Sequence, residues 1–355
     1  MAPVERVTSG KVDATWALDA TAKSAQGLQL MDYEPTYVRK VPLMPTAPST
    51  LAAQQMRTLL THLAGVRDGI ADDVHQARVS TRRLRELLPL VASETGQSLK
   101  PVRQLVREGG RALGVVRELD TLMAWCDRLM MLHPTGAAPL AACRVELRDE
   151  RERAARRLVK QLDRLDFTTM KDHVPASWFR LWNDSRPWTS LLTERIHARA
   201  TRLERALDHA GGVYFPNRLH RVRIHLKKLR YAVEIAEQTR LWTPAHLRRD
   251  AGRLQDMLGD IHDLQVLYKR LQTASSDTGL RSMLRADILS RHDEYLLRRE
   301  RVYAIAAAAR RFANARGRSR KRMASGAAAA LLIPASIALL GGRSEPVAPD
   351  HVHVA

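Results

Sequence analysis

Asp73-Val74-His75-Gln76-Ala77-Arg78-Val79-Ser80-Thr81-Arg82-Arg83-Leu84-Arg85 decides how this chain is read, because it returns as Arg218-Leu219-His220-Arg221-Val222-Arg223-Ile224-His225-Leu226-Lys227-Lys228-Leu229-Arg230. His75 matches His220, Arg78 matches Arg223, Arg82 matches Lys227, Arg83 matches Lys228 and Arg85 matches Arg230, always at a separation of 145 residues. A second block keeps that offset: Leu113-Gly114-Val115-Val116-Arg117-Glu118-Leu119 answers Leu258-Gly259-Asp260-Ile261-His262-Asp263-Leu264. Two separate blocks sharing one offset predict a duplicated helical unit.

Helical geometry sorts the residues of the repeat. With His75 at zero and about 100° per residue, Arg78 falls near 300°, Arg82 near 340° and Arg85 near 280°. These four share one stripe, and His220, Arg223, Lys227 and Arg230 form the same stripe in the second copy. Ala77, Leu84, Leu88 and Val91 lie on the other side, as do Val222, Leu226, Leu229 and Val233, which makes that side the core face. A solvated helix face usually mixes signs, since like charges at i,i+4 each cost about 0.2–0.5 kcal/mol. A uniformly cationic stripe in both copies therefore points to an external polyanion; a plain solvated face is the alternative. Lys100, Arg103, Arg107 and Arg111 also share a face, as do Arg195, Arg199 and Arg202. Basic faces on several helices imply a groove that concentrates anions.

Working outward, Ser49 or Thr50 is expected to cap a helix that starts at Leu51, and Asp72 or Asp73 the key helix, which runs to about Ala92. A third helix opens at Ser98, with Pro101 in its first turn and Gly109, Gly110 and Gly114 weakening it or permitting close packing. A fourth covers residues 118–132, and a fifth runs from near Pro139 to about Leu165. The second unit places helices near 188–209, 216–239, 244–259, 260–274 and 280–314. The expected fold is all-α: two repeated antiparallel helical bundles related by pseudo-twofold symmetry around a basic cavity. Repeat one spans 49–165 and repeat two 187–315. The connection 166–186 is anchored by Trp178 and Trp182. Residues 1–48 read as an irregular leader in which Tyr37–Val41 forms a short strand or an extended linker. Residues 316–355 form a tail, with a basic cluster at Arg316–Arg322 and then an apolar stretch at 327–340 interrupted by Pro334. The tail reads either as an interfacial segment for an anionic membrane or granule surface or as an Ala-rich disordered end.

Composition agrees. The 355 residues carry a formal net charge of +20 and a sequence pI of about 10.8, which calls for an anionic partner. Of the 58 cations, 48 are arginine, whose planar fork suits phosphate, although codon bias explains the count equally well. Aromatic residues make up only 5%, fewer than the stacking platforms of a single-strand binder usually need. The two cysteines, Cys126 and Cys143, are expected to be reduced thiols of a cytoplasmic protein. Neither a signal peptide nor an apolar run of membrane-spanning length is expected.

His75 and His220 admit several roles: metal ligands, catalytic bases, neutral donors to a phosphate oxygen, or packing residues. A zinc site is disfavoured, because no cysteine or carboxylate shares their stripe at helical spacing. Arginine neighbours favour the neutral imidazole. Phosphoryl transfer needs carboxylates that hold Mg²⁺, whereas Glu118, Asp120, Asp260 and Asp263 read as partners that orient arginines at the helix junction. No P-loop, Gly-x-Ser-x-Gly or His-Glu-x-x-His motif occurs.

Val74-His75-x-x-Arg78-Val79-x-x-Arg82-Arg83-Leu84-Arg85 and Leu219-His220-x-x-Arg223-Ile224-x-x-Lys227-Lys228-Leu229-Arg230-Tyr231, with the two Leu-Gly blocks, resemble the CHAD domain, the conserved-histidine α-helical domain, over about residues 50–315. The resemblance implies two bundles in pseudo-twofold relation around a basic cavity that binds inorganic polyphosphate without catalysis; neither a metal nor a cofactor is expected. By motif position it assigns binding to His75, Arg78, Arg82, Arg83, Arg85, His220, Arg223, Lys227, Lys228 and Arg230. Arg103, Arg107, Arg195, Arg199 and Arg202 are added from the other basic faces. The first helix of unit one, with only Arg57 and Arg67, is poorer in cations than its counterpart, which implies a lopsided cavity. Ala22-Lys23-Ser24-Ala25-Gln26-Gly27-Leu28 resembles the closing segment of a CYTH domain without its catalytic barrel, so no independent hydrolase activity is expected. The functional expectation is a cytoplasmic polyphosphate-binding module, associated with polyphosphate or other storage granules. The competing readings are a sequence-independent nucleic-acid binder and a phosphatase.

Overall fold

A computed structural model of the protein describes residues 46–165, 167, 187–274 and 277–337, with side chains described as far as Ser319. All its regular elements are helical: α1 Pro48–Arg67, α2 Ala71–Thr95, α3 Lys100–Leu132, a single 3₁₀ turn Pro134–Gly136, α4 Ala137–Arg164, α5 Pro187–Ala210, α6 Pro216–Gln238, α7 Ala245–Ala274 and α8 Thr278–Ile337. The leader, the Trp178 and Trp182 anchor and residues 338–355 lie outside the described residues.

Helices α1 to α4 close on one another in sequence order, with α4 returning to α1, and α5 to α8 close likewise through α5 and α8. Within each set, short connections leave consecutive helices antiparallel. The two sets meet where α2 touches α5 and α6, and where α3 touches α7. The apolar side of the repeated segments faces inward: Ala77, Leu84, Leu88 and Val91 are fully buried, and Val222, Leu226, Leu229 and Val233 are buried as well. Each such leucine stabilises the fold by roughly 1.5–3 kcal/mol relative to exposure. This burial leaves the cationic edges of α2 and α6 free to approach the junction between the two sets.

Several local expectations are corrected. The third and fourth expected helices are one, α3 from Lys100 to Leu132, and those expected at 244–259 and 260–274 are likewise one, α7 from Ala245 to Ala274. Of the two roles expected for the α3 glycines, close packing holds: the missing Cβ atoms make room for Phe167, Thr81 and Arg78. Asp73 is no cap: α2 begins at Ala71, and the Asp73 carboxylate lies 2.5 Å from His62 Nδ1 on α1. Ser49 is no cap either; α1 begins at Pro48, and the Ser49 backbone N–H donates to Glu94 Oε2 at 3.0 Å. Helix α2 ends at Gly96, whose φ of +70° is a left-handed conformation that glycine adopts without strain. The last expected helix, 280–314, is longer: α8 runs from Thr278 to Ile337, and its alanines are strong helix formers. Among the described residues no helix is long and apolar enough to cross a membrane.

Candidate anion site

The repeated arginines land on the repeated glycines. From α2, Arg78 crosses to α3, where its Nη1 donates to the Gly110 carbonyl and its guanidinium covers Gly114. From α6, Arg223 lies over Gly259 of α7. The shared offset of the His-Arg and Leu-Gly blocks is therefore a packing relation: a long cation needs a side-chain-free strip on the next helix. The two strips differ in tightness. A Cβ on Gly114 would come within 2.8 Å of Arg78 Cζ, whereas one on Gly259 would sit 3.8 Å from Arg223 Nε, in ordinary contact. Gly259→Ala is expected to stabilise the protein by up to about 1 kcal/mol through helix propensity. Gly114→Ala gains nothing, because Arg78 must leave Gly110. Paired thermal melts check the contrast, and equal shifts would remove the distinction.

The centre of the arrangement is a cluster of like charges drawn from both repeated helices. Burial, then Arg82 and Arg85, lowers the pKa of Arg78 to about 10. Burial also lowers that of Arg223; Asp263 partly offsets the effect, and Arg82 lowers it further. Lys227 is pushed down to about 7, by burial first and then by Arg82, Arg223, Arg78 and Lys228. Arg82 of α2 thus lies within electrostatic reach of Arg223 and Lys227 of α6, which brings four of the expected site residues together. The Nε–H groups of Arg78 and Arg223 are both buried without an acceptor. Glu118 of α3 and Tyr231 of α6 are the groups that offset charge on both arginines. Asp263 is itself raised to about 6, by burial and by Asp260 and Glu118, against the pull of Arg223.

The motif histidines border this cluster, and both are half-buried. The pKa of His75 is lowered by burial and then by Arg117. That of His220 is lowered by burial, Arg223 and Lys227. Its Nδ1 lies 3.1 Å from Nδ1 of His262, which burial, His220, Arg223, Lys227 and Lys269 push down to about 4. Arg117 and His262 hold equivalent places in the two Leu-Gly blocks, so each motif histidine faces the same position on the next helix. Sequence reasoning recorded that equivalence without assigning either residue. Among the described residues no group of three or more His, Cys, Asp or Glu side chains could hold a metal ion.

Other expected site residues have protein partners. Arg83 donates to Glu234 at 2.8 Å. Arg195 donates to the Glu86 carbonyl at 3.1 Å. Arg199 pairs with the Glu86 carboxylate and donates to the Lys228 carbonyl at 2.8 Å. Arg230 donates from Nε to Gln255 at 2.9 Å and lies over the Tyr231 ring. Glu86 and Glu234 were missed, because nothing in a helical pattern says which distant cation a carboxylate will meet. The expected arginine-orienting carboxylates do hold arginines in two cases, from helices not foreseen: Asp120 pairs with Arg151 of α4 at 2.6 Å and Asp260 with Arg291 of α8 at 3.2 Å. Arg202 and Lys228 are exposed, and both act on the pKa of His225. Arg85, Arg103 and Arg107 share a cleft of about 370 Å³ with Lys100 and Gln104.

Comparison with known proteins bears on the family and the fold. Two uncharacterised Mycobacterium tuberculosis proteins, MT2285 of strain CDC 1551 and Rv2226 of strain H37Rv, are each 28% identical to the chain over 69% of its length. The chain spans about half (50%) of the length of these curated relatives. The crystal structure of the CHAD domain from the plant Ricinus communis superposes with a TM-score of 0.50 at 18% identity, covering 76% of this chain and 93% of that one, which speaks for the fold. The family model of the CHAD domain matches residues 50–272, and the chain belongs to the CHAD domain family.

Proposed function

We propose that the protein binds inorganic polyphosphate without catalysis, in a basic cavity between two pseudo-twofold-related helical bundles. Membership of a family associated with polyphosphate binding supports the reading. The observation that carries it is the cluster of Arg78, Arg82, Arg223 and Lys227, where Lys227 is depressed to about 7 by burial and by its cationic neighbours. Such a cluster is unfavourable when empty and is relieved by a dense anion. A phosphate chain supplies one charge per unit, with no base to stack and no sequence to read. His75 and His220, neutral at pH 7, each have an N–H to offer a phosphate oxygen. Arg83, Arg195 and Arg199, held by Glu234 and Glu86, shape the walls and position the binding residues. Retention on cytoplasmic polyphosphate granules follows from the same affinity, with the segment beyond Arg316 as a further contact to a granule or membrane surface.

The test is titration with long-chain polyphosphate at graded salt. Binding is expected at physiological ionic strength, and it should weaken roughly a thousandfold or more between 50 and 200 mM salt for about six neutralised phosphates. Duplex DNA that displaces polyphosphate at equal phosphate concentration would favour nucleic acid as the ligand. Phosphate release with Mg²⁺ that is lost in Asp263→Asn would overturn the non-catalytic reading.

A further inference from the structure

The surroundings of the central cluster differ between the two sets of helices. On one side the pKa of Arg78 is lowered by Arg85. Arg85 in turn lines the 370 Å³ cleft with Lys100, Arg103, Gln104 and Arg107 at the start of α3. Four of the five lining residues are cations, and none is a carboxylate. Glu108, one turn beyond Gln104, is engaged by the Gln104 amide at 3.0 Å. Arg103 also acts on Arg195 of α5, so the basic surface continues to the junction with the second set.

The same positions in the second set are dismantled. At the 145-residue offset Lys100 becomes Ala245 and Arg107 becomes Gly252. Arg103 becomes Arg248, which is paired with Glu237 at 2.5 Å. Arg85 becomes Arg230, which is bound to Gln255. Only Arg249, in the place of Gln104, adds a cation. Arg253 of α7 instead lines a separate cleft with Asp250, Arg298 and Arg301, toward α8. On α5, the first helix of the second set, Arg195 and Arg199 are committed to Glu86, and the exposed Arg202 acts on His225 of α6.

We propose, on the basis of the polyphosphate reading above, that a long phosphate chain leaves the central cluster through one exit, the cleft of Arg85, Lys100, Arg103 and Arg107. The cleft is a second subsite for condensed phosphate, filled only by chains that overhang the cluster. Tripolyphosphate is held by Arg78, Arg82, Arg223 and Lys227 alone. The protein therefore grips a long chain with one preferred side of its surface, and its affinity rises with chain length until the cleft is occupied.

The experiment compares full-length wild type, the triple variant Lys100→Ala, Arg103→Ala, Arg107→Ala, and the control Arg248→Ala, Arg249→Ala, each with tripolyphosphate and with polyphosphates of graded length. All the substituted side chains are exposed, and thermal melts confirm that the variants fold. The triple variant should lose about 10- to 100-fold in affinity for long chains, with its salt slope reduced by about 2 to 3. Its affinity for tripolyphosphate should stay within about twofold of wild type, and the control should stay within about twofold for both ligands. Equal losses in the triple variant and the control would mean that net charge alone matters, and would overturn the exit. So would an equal loss for tripolyphosphate, or no loss for long chains. Wild type that retains neither ligand overturns the polyphosphate reading itself, and the exit with it.

Discussion

Replacing Lys227 by methionine is expected to stabilise the unliganded protein near neutral pH, by on the order of 2–4 kcal/mol. The ordinary lysine value of 10.5 falls to about 7 in the folded chain, through burial and then through Arg82, Arg223, Arg78 and Lys228. Between those two values the unfolded chain binds more protons than the folded one. Stability contributed at this site is therefore present above pH 10.5, declines as pH falls through that window, and is fully lost below about 7. Methionine is unbranched like the lysine stem and ends one atom short of the ammonium, so it fills most of the same space without charge. Denaturant titrations at pH 7 and pH 9 should show a smaller pH dependence in the variant than in wild type. The same substitution should weaken polyphosphate binding at least tenfold, roughly the loss of one charge-assisted contact. Wild type should take up protons when polyphosphate binds at pH 7–8, because phosphate restores the ammonium of Lys227. A variant less stable than wild type at pH 7 would mean that the cations are not crowded as described.

Glu86→Ala is expected to act in the opposite direction and to cost about 3 kcal/mol. The Glu86 and Arg199 side chains are only 17% and 15% exposed. The Glu86 carboxylate is the acidic partner of Arg199, while the Glu86 carbonyl accepts from Arg195. Its loss leaves a largely desolvated guanidinium beside Arg195, at the contact of α2 with α5 that joins the two sets of helices. Adding Arg199→Met should recover more than half of the loss in a double-mutant cycle, because the penalty comes from the stranded charge. Polyphosphate binding by the folded fraction should be unchanged or tighter, since Glu86→Ala adds one unit of positive charge. A strong loss of binding in the stable double variant would instead assign Arg199 to the ligand.

Glu86 and Lys227 both owe their roles to partners distant in the chain, whereas the helices themselves follow from local pattern. The all-α class, the buried side of α2 and α6 and the cationic stripes were legible, because helical periodicity is a property of neighbouring residues. Helix lengths were less so: the glycines of α3 fit a weak point or a close approach equally well, and Phe167, Thr81 and Arg78, which occupy the space they leave, decide for close approach. The site was legible as a set of candidates and not as an arrangement. His75 and Arg78 looked alike from the stripe, yet Arg78 is anchored across α3, while His75 borders the cluster beside Arg117.

By itself the sequence determined which residues lie on which face of each helix, since 3.6 residues per turn leave no freedom in that assignment. It also determined that the protein carries a large surplus of positive charge. Only the tertiary structure decided which of those cations remain available to an anion. Arg83 and Arg199 are neutralised by Glu234 and Glu86, carboxylates 151 and 113 residues away along the chain. Arg82 and Lys227 are instead brought into mutual repulsion. Charge interactions act through space at a few ångströms, so their partners are set by how helices dock and not by where residues stand in the chain.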